Sequence, residues 1–148
     1  MKIVVIDGQG GRMGRSIIEQ MKKVCPDQEL YAIGTNSIAT QAMLKAGADY
    51  AATGENPIVV GVRDADLVIG PIGIVMADSL LGEITARAAA AVSSSAAYKV
   101  LIPNNRCNHF IVGCQDAPLG EYLNQVSAEV QRFLREQGCG DGSGHSGQ

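Results

Sequence analysis

The feature that most limits how this chain folds is the stretch VVIDGQGGRMGRSII, residues 4–18. A β-branched run ends in Asp7-Gly8, four glycines fall within seven positions, and an amphipathic pattern begins directly after them. Ile3 to Ile6 is apolar without alternation, which fits a strand buried on both faces of a parallel sheet. Met13, Ile17, Ile18, Met21 and Val24 then recur at helical spacing, with Arg15, Glu19, Lys22 and Lys23 on the other face and Pro26 as the stop. Strand, glycine turn and helix in that order make the first half of a βαβ unit.

The rest of the chain repeats this alternation. Leu30 to Ile33 reads as a second strand closed by Gly34. Asn36 or Ser37 can cap a second helix whose apolar side is Ile38, Ala42, Met43 and Ala46, with Gly47 as its stop. A brief third strand lies near Asp49 to Ala52, and a fourth at Leu67 to Ile69. The intervening NPIVVGVRDAD is rich in β-branched residues, but a parallel crossover needs about a dozen residues and Pro57 suits a helix start, so a short helix is expected. Val75 to about Ala91 is helical in composition, with Leu80, Leu81, Ile84 and Ala88 on one face. Lys99 to Ile102 reads as a fifth strand and His109 to Val112 as a sixth. The last helix starts after Pro118 and buries Leu123, Val126, Val130, Phe133 and Leu134. This order predicts an α/β domain over residues 1–137: one open, mostly parallel, doubly wound Rossmann-like sheet with helices on both faces. Residues 138–148, GCGDGSGHSGQ, read as a disordered glycine-rich tail.

Composition narrows the partners. A net charge of −3, no Trp and only two Phe offer neither a basic footprint nor stacking platforms, so no nucleic acid is expected. The opening MKIVVIDG breaks into glycine before a leader's apolar stretch could form, and LVIGPIGIVMADSLL is too short and too interrupted to span a bilayer. No membrane association is expected, and a cytoplasmic setting is. Cys25, Cys107, Cys114 and Cys139 form no CxxC pair, so no metal site is predicted.

In an open parallel sheet, ligands bind beyond the carboxyl ends of the strands. The segments there are DGQGGRMG, GTNS, TGEN, GPIG and PNNRCN, the densest clusters of Gly, Asn, Pro and Thr in the chain. Turns favour these residues anyway, but that accounts less well for the repeated close glycines and for the NNRCN run. In the first loop Gly8 permits the sharp turn, Gly10 or Gly11 lets backbone approach a phosphate, and Gly14 lets the helix pack close to the sheet. The free N–H groups of Arg12 and Met13 at the helix start then face the anion. The spacing is GxxGxxG over Gly8, Gly11 and Gly14, because Met13 stands where a strict GxGxxG wants its third glycine. Gly34, Thr35 and Asn36 follow strand two in place of the acidic residue that usually holds ribose hydroxyls. Gly70, Pro71, Ile72 and Gly73 follow strand four. Asp7 either meets a ribose or cation beside the phosphate or accepts N–H bonds from Gln9 or Gly10 as a turn cap.

Substrate contacts are expected from Glu55, Asn104, Asn105, Arg106 and Cys107. Arg106 can grip a carboxylate or phosphate in bidentate fashion, and a thiol beside it is a candidate nucleophile. Asp78 and Glu83 are further acid/base candidates, although charged helix faces are usually only solvated. His109 reads as a structural residue of a short strand.

The string GQGGRMGRSIIEQM resembles the opening of dihydrodipicolinate reductases, whose glycine turn binds NAD(P)H. That similarity covers about twenty residues and does not bring the reductases' His-rich segment or substrate domain with it. Over residues 1 to 135, GTNSIATQAMLKAGAD, ATGENPIVV, IGPIGIVMADSLLGEIT and LIPNNRC resemble an uncharacterised family of short Rossmann-like proteins from clostridial-type anaerobic bacteria. This resemblance implies the fold and no activity. Three functions follow as alternatives: a binding protein for NAD(P) or another nucleotide, a small NAD(P)-dependent oxidoreductase completed by dimerisation, or a non-enzymatic interaction protein. A small nucleotide-type ligand and a homo-oligomer, dimer favoured, are the expected partners.

Overall fold

A computed structural model describes residues 1–104 and 109–138 in full and the backbone of 139–146. Five strands form one all-parallel sheet: β1 (Lys2–Asp7), β2 (Glu29–Gly34), β3 (Tyr50–Thr53), β4 (Leu67–Pro71) and β5 (Tyr98–Ile102). Their spatial order is β3-β2-β1-β4-β5. That is the doubly wound dinucleotide-fold order without its sixth strand, and it puts the topological switch point between β1 and β4. The register runs Ile3 opposite Leu30 and Leu67, and Val5 opposite Ala32 and Ile69.

The unbroken apolar β1 is explained by two cores. Ile3 and Val5 point to one face, where they meet Ile17, Ile18 and Met21 of α1 (Arg12–Val24), Met43 of α2 (Ser37–Lys45), and Val126 and Val130 of α5 (Leu119–Ser146). Val4 and Ile6 point to the other, against Ile58 of α3 (Glu55–Gly61) and Ala88, Ala89 and Val92 of α4 (Ala86–Ser94). The period-2 alternation of a strand divides one run of four residues between both layers. The expected domain boundary at residue 138 falls inside α5. No helix of the described residues is long and apolar enough to cross a membrane.

Three expectations are corrected. His109 to Val112 forms no strand: Phe110 and Val112 are 87% and 88% exposed, and Cys114 N–H closes a turn on Ile111 O. A strand there would need a partner and a covering layer, and these side chains have no covering layer. The helix expected from Val75 begins only at Ala86, where Thr85 caps it by accepting the Ala88 N–H at 3.1 Å. Before it, a 3-10 turn (Ile72–Val75) leads into a knot of turns in which Asp78, Leu80 and Leu81 have left-handed backbone. Leu81 is 95% exposed, so the stripe of Leu80, Leu81, Ile84 and Ala88 does not exist. Local bonds hold the knot instead, with Asp78 N–H on Ile84 O at 2.7 Å and Ile84 N–H on Ser79 O at 3.2 Å. Finally, Ile38 is 69% exposed, and α2 buries Ala39, Thr40 and Met43. Asn36 is its cap, accepting the Ala39 N–H at 2.9 Å.

Candidate functional site

The glycine loop joins β1 to α1 at the switch point, and its glycines do different work. At Gly8 a Cβ would stand 2.6 Å from Thr35 Oγ1, so the loops after β1 and β2 touch there. Gly11 is the residue before α1, with φ +73°, and a Cβ on it would lie 2.7 Å from the Ala39 Cα. At Gly14 the obstacles are Met43 Sδ at 2.6 Å and Asp7 Cβ at 2.8 Å, so this glycine lets α1 lie against β1 and α2. Only Gly10 has open space around it. Of the two glycines expected to admit a phosphate, Gly10 borders open space, whereas Gly11 is needed where α1 packs on Ala39 of α2.

Above this loop lies an open cleft of about 580 Å³, lined by residues 7 to 13 together with Pro71, Leu80, Asn104 and Leu119. The N–H of Gly11 bonds to Gly8 O at 2.9 Å, and that of Gly14 to Asp7 Oδ2 at 2.7 Å. Among the described residues no acceptor meets the N–H groups of Gly10, Arg12 or Met13. The first turn of α1 holds no acidic residue of its own; Asp7 caps it through Gly14, and the N–H groups of Arg12 and Met13 remain at the positive end of the helix dipole beside the cleft.

Asp7 points inward. Its carboxylate is 5% exposed and serves the α1 N-terminus through Gly14, not the expected Gln9 or Gly10. Burial pushes its pKa up, the N–H bonds from Gly14 and Gly8 oppose that, and the nearby Glu83 charge adds to the rise. A carboxyl with a raised folded pKa contributes most stability below its unfolded pKa, and that contribution is lost as pH rises through the folded value. Replacing Asp7 with Asn removes this slope. Thermal unfolding from about pH 4 to 7 should therefore show Asp7→Asn gaining on the wild type as pH rises; a pH-independent gap would refute the assignment.

The sequence pattern puts Glu83 on a helix face, where charge is usually solvated, whereas the turns before α4 carry it to the loops after β1 and β2. Oε1 accepts from Thr35 Oγ1 at 2.6 Å, Asn36 Nδ2 at 2.7 Å and Gln9 N–H at 3.1 Å. Burial works to raise its pKa, but the bonds from Thr35, Asn36 and Gln9 outweigh burial and hold the carboxyl below its ordinary value. No local pattern reveals such a contact, because the partners are 47 to 74 residues away.

The other expected residues are distributed as follows. Gly34 is packed beneath Thr40, whose N–H would lie 2.5 Å from a Cβ there, and Gly70 leaves room for Ile6 O. Pro71 lines the main cleft, whereas Ile72 lines a separate cavity of about 180 Å³ with Pro103, Asn104 and His109. Gly73 is buried, and its carbonyl accepts from Ser79 Oγ. Glu55 is turned toward α4, accepting from Thr85 Oγ1 at 2.5 Å and lying 3.6 Å from Arg87 Nη1. Asn104 reaches the cleft; Asn105, Arg106 and Cys107 lie outside the described residues. Among the described residues no three His, Cys, Asp or Glu side chains converge as a metal site.

A parallel sheet of this order, with a glycine turn at its switch point and helices on both faces, defines a Rossmann-like α/β protein. Residues 2–135 match the family described as Domain of unknown function (DUF3842), and the chain belongs to that family. Among solved structures it is similar to a dodecameric FMN-dependent UbiX-like decarboxylase from Escherichia coli O157:H7. The TM-score is 0.51 at 18% identity, covering 90% of this chain and 94% of that one. At that identity the likeness is one of fold. No curated protein matches the sequence.

Proposed function

We propose that this protein binds a nucleotide-type ligand in the cleft over residues 7–13, with a phosphate group at the N-terminus of α1. The observation that carries this reading is the set of N–H groups on Gly10, Arg12 and Met13, which lack acceptors among the described residues and belong to residues lining the cleft. A 13-residue helix with no acid in its first turn adds its dipole to those donors. The FMN named for the structural neighbour is a ligand of the same type, a phosphate ester. No arrangement of the described residues identifies a reaction, and the proposal is one of binding.

Purified protein is titrated with AMP, NADH, NADPH and FMN while thermal unfolding is followed. A ligand at about 100 times its Kd should stabilise the fold by about 2.7 kcal/mol. If none of the four raises the midpoint, the cleft does not bind nucleotides and the reading falls.

A further inference from the structure

We propose that Glu83 is the residue that selects a ribose with a free 2′-hydroxyl, lent to the end of β2 from the connection between β4 and α4. This rests on the nucleotide reading above and deepens it.

A fold of this kind usually carries an acidic residue at the end of β2 to accept the ribose hydroxyls. Here Gly34-Thr35-Asn36 stand in that place, yet a carboxylate is present in space. Glu83 sits on Thr35 and Asn36 from one side and on the Gln9 N–H from the other. It therefore bridges the glycine loop and the end of β2 beside the cleft, bonded to Gln9 of its lining. In the proposed mode the ribose of a ligand anchored at α1 extends from the cleft to this carboxylate.

The bonding leaves capacity for a ligand. Thr35 and Asn36 donate to Oε1, and the Gln9 N–H is shared between Oε1 at 3.1 Å and Oε2 at 3.2 Å, so among the described residues Oε2 holds only part of one donor. A carboxylate oxygen has about two lone-pair sites, so Oε2 retains one for a hydroxyl. The same charge repels a 2′-phosphate, and among the described residues no Lys or Arg is bonded to Glu83 to offset it.

Placing Glu83 there has a conformational cost. Asp78, Leu80 and Leu81 all adopt left-handed backbone with φ of 64°, 55° and 56°, and Gln9 does so at 50°. Strained residues persist where the surrounding structure holds them, and they cluster at ligand clamps. Here they lie on the two segments that Glu83 joins.

The test compares AMP, 2′-deoxy-AMP, adenosine 2′,5′-bisphosphate and FMN by calorimetric titration of wild type and Glu83→Gln. Wild type should bind AMP roughly 10-fold or more tightly than either altered adenosine ligand, as expected when a charged acceptor is left without its hydroxyl or meets a like charge. Glu83→Gln should bring the three within about threefold of one another, and its circular dichroism should match the wild type. Equal wild-type affinity for the three overturns the role of Glu83 without any variant, and if Glu83→Gln fails to fold, Glu83→Asp takes its place, with weakened discrimination expected. Discrimination that survives Glu83→Gln, or is undiminished in Glu83→Asp, also overturns that role; each of these outcomes leaves nucleotide binding in place. FMN binding without AMP binding also overturns the ribose assignment alone. Failure of all four, with no midpoint shift from NADH or NADPH either, overturns both readings.

Discussion

Gly11→Ala should lower the unfolding midpoint by roughly 10 °C, whereas Gly10→Ala, one residue away, should change it by no more than about 2 °C. Two costs combine at position 11. Left-handed backbone costs a residue bearing a Cβ about 1–2 kcal/mol, and Gly11 has φ +73°. The added methyl also meets main chain, with Ala39 Cα at 2.7 Å and Ala39 O at 3.0 Å, so α1 and α2 must move apart. Overpacking of that kind costs about 1–3 kcal/mol. Neither cost arises at Gly10, which has ordinary backbone and open surroundings. Thermal unfolding of the two variants by circular dichroism checks this; equal midpoints would mean that the α1–α2 contact is not tight.

Gly10→Leu should sharply weaken nucleotide binding while the unliganded fold keeps its midpoint. The leucine occupies open space on the cleft wall, beside the N–H groups of Arg12 and Met13. A phosphate needs those donors within hydrogen-bond distance, about 2.7–3.2 Å, and a branched side chain on the adjoining residue prevents that approach. An affinity loss of about 100-fold is the expected scale, equivalent to losing two charge-assisted bonds of about 1.5 kcal/mol each. Calorimetry with whichever of AMP, NADH or FMN binds the wild type measures it. An unchanged affinity would put the ligand elsewhere on the molecule. Gly11 is the wrong position for this experiment, since a bulky residue there would damage the fold together with the site.

The β1–α1 unit was legible because each residue carries its own reason locally. Ile3 to Ile6 can only be buried on both faces, and Ile17, Ile18 and Met21 repeat at 3.6 residues. The short helix at Glu55–Gly61 followed from crossover length and Pro57, despite its β-branched residues. Composition misled between Val75 and Thr85. Leu80, Leu81 and Ala77 are good helix formers, but Asp78 and Ile84 close a loop on each other and tertiary contact overrides propensity. Phe110 and Val112 have strand propensity but no neighbouring strand to pair with, a condition that no local window reveals. At the site, Gly8, Gly10 and Gly11 of the expected set fall together in the β1–α1 loop. Dividing their roles required seeing α2 packed against Gly11, and Glu83 emerged only from contacts across the sheet edge.

The bonds of Glu83 also constrain how the molecule assembles. They connect positions 74 and 48 residues apart, from Gln9 and Thr35 to the far side of β4. Closing so long a span costs entropy that neighbouring contacts do not refund until β4 is in place. Residues 1–53 hold the glycine loop, α1, α2 and three strands but lack the carboxylate. During synthesis the ligand-facing edge is thus finished late, once the chain has passed the turns before α4. A nascent chain that has folded only its first three strands carries the glycine loop without the carboxylate proposed to meet the ribose.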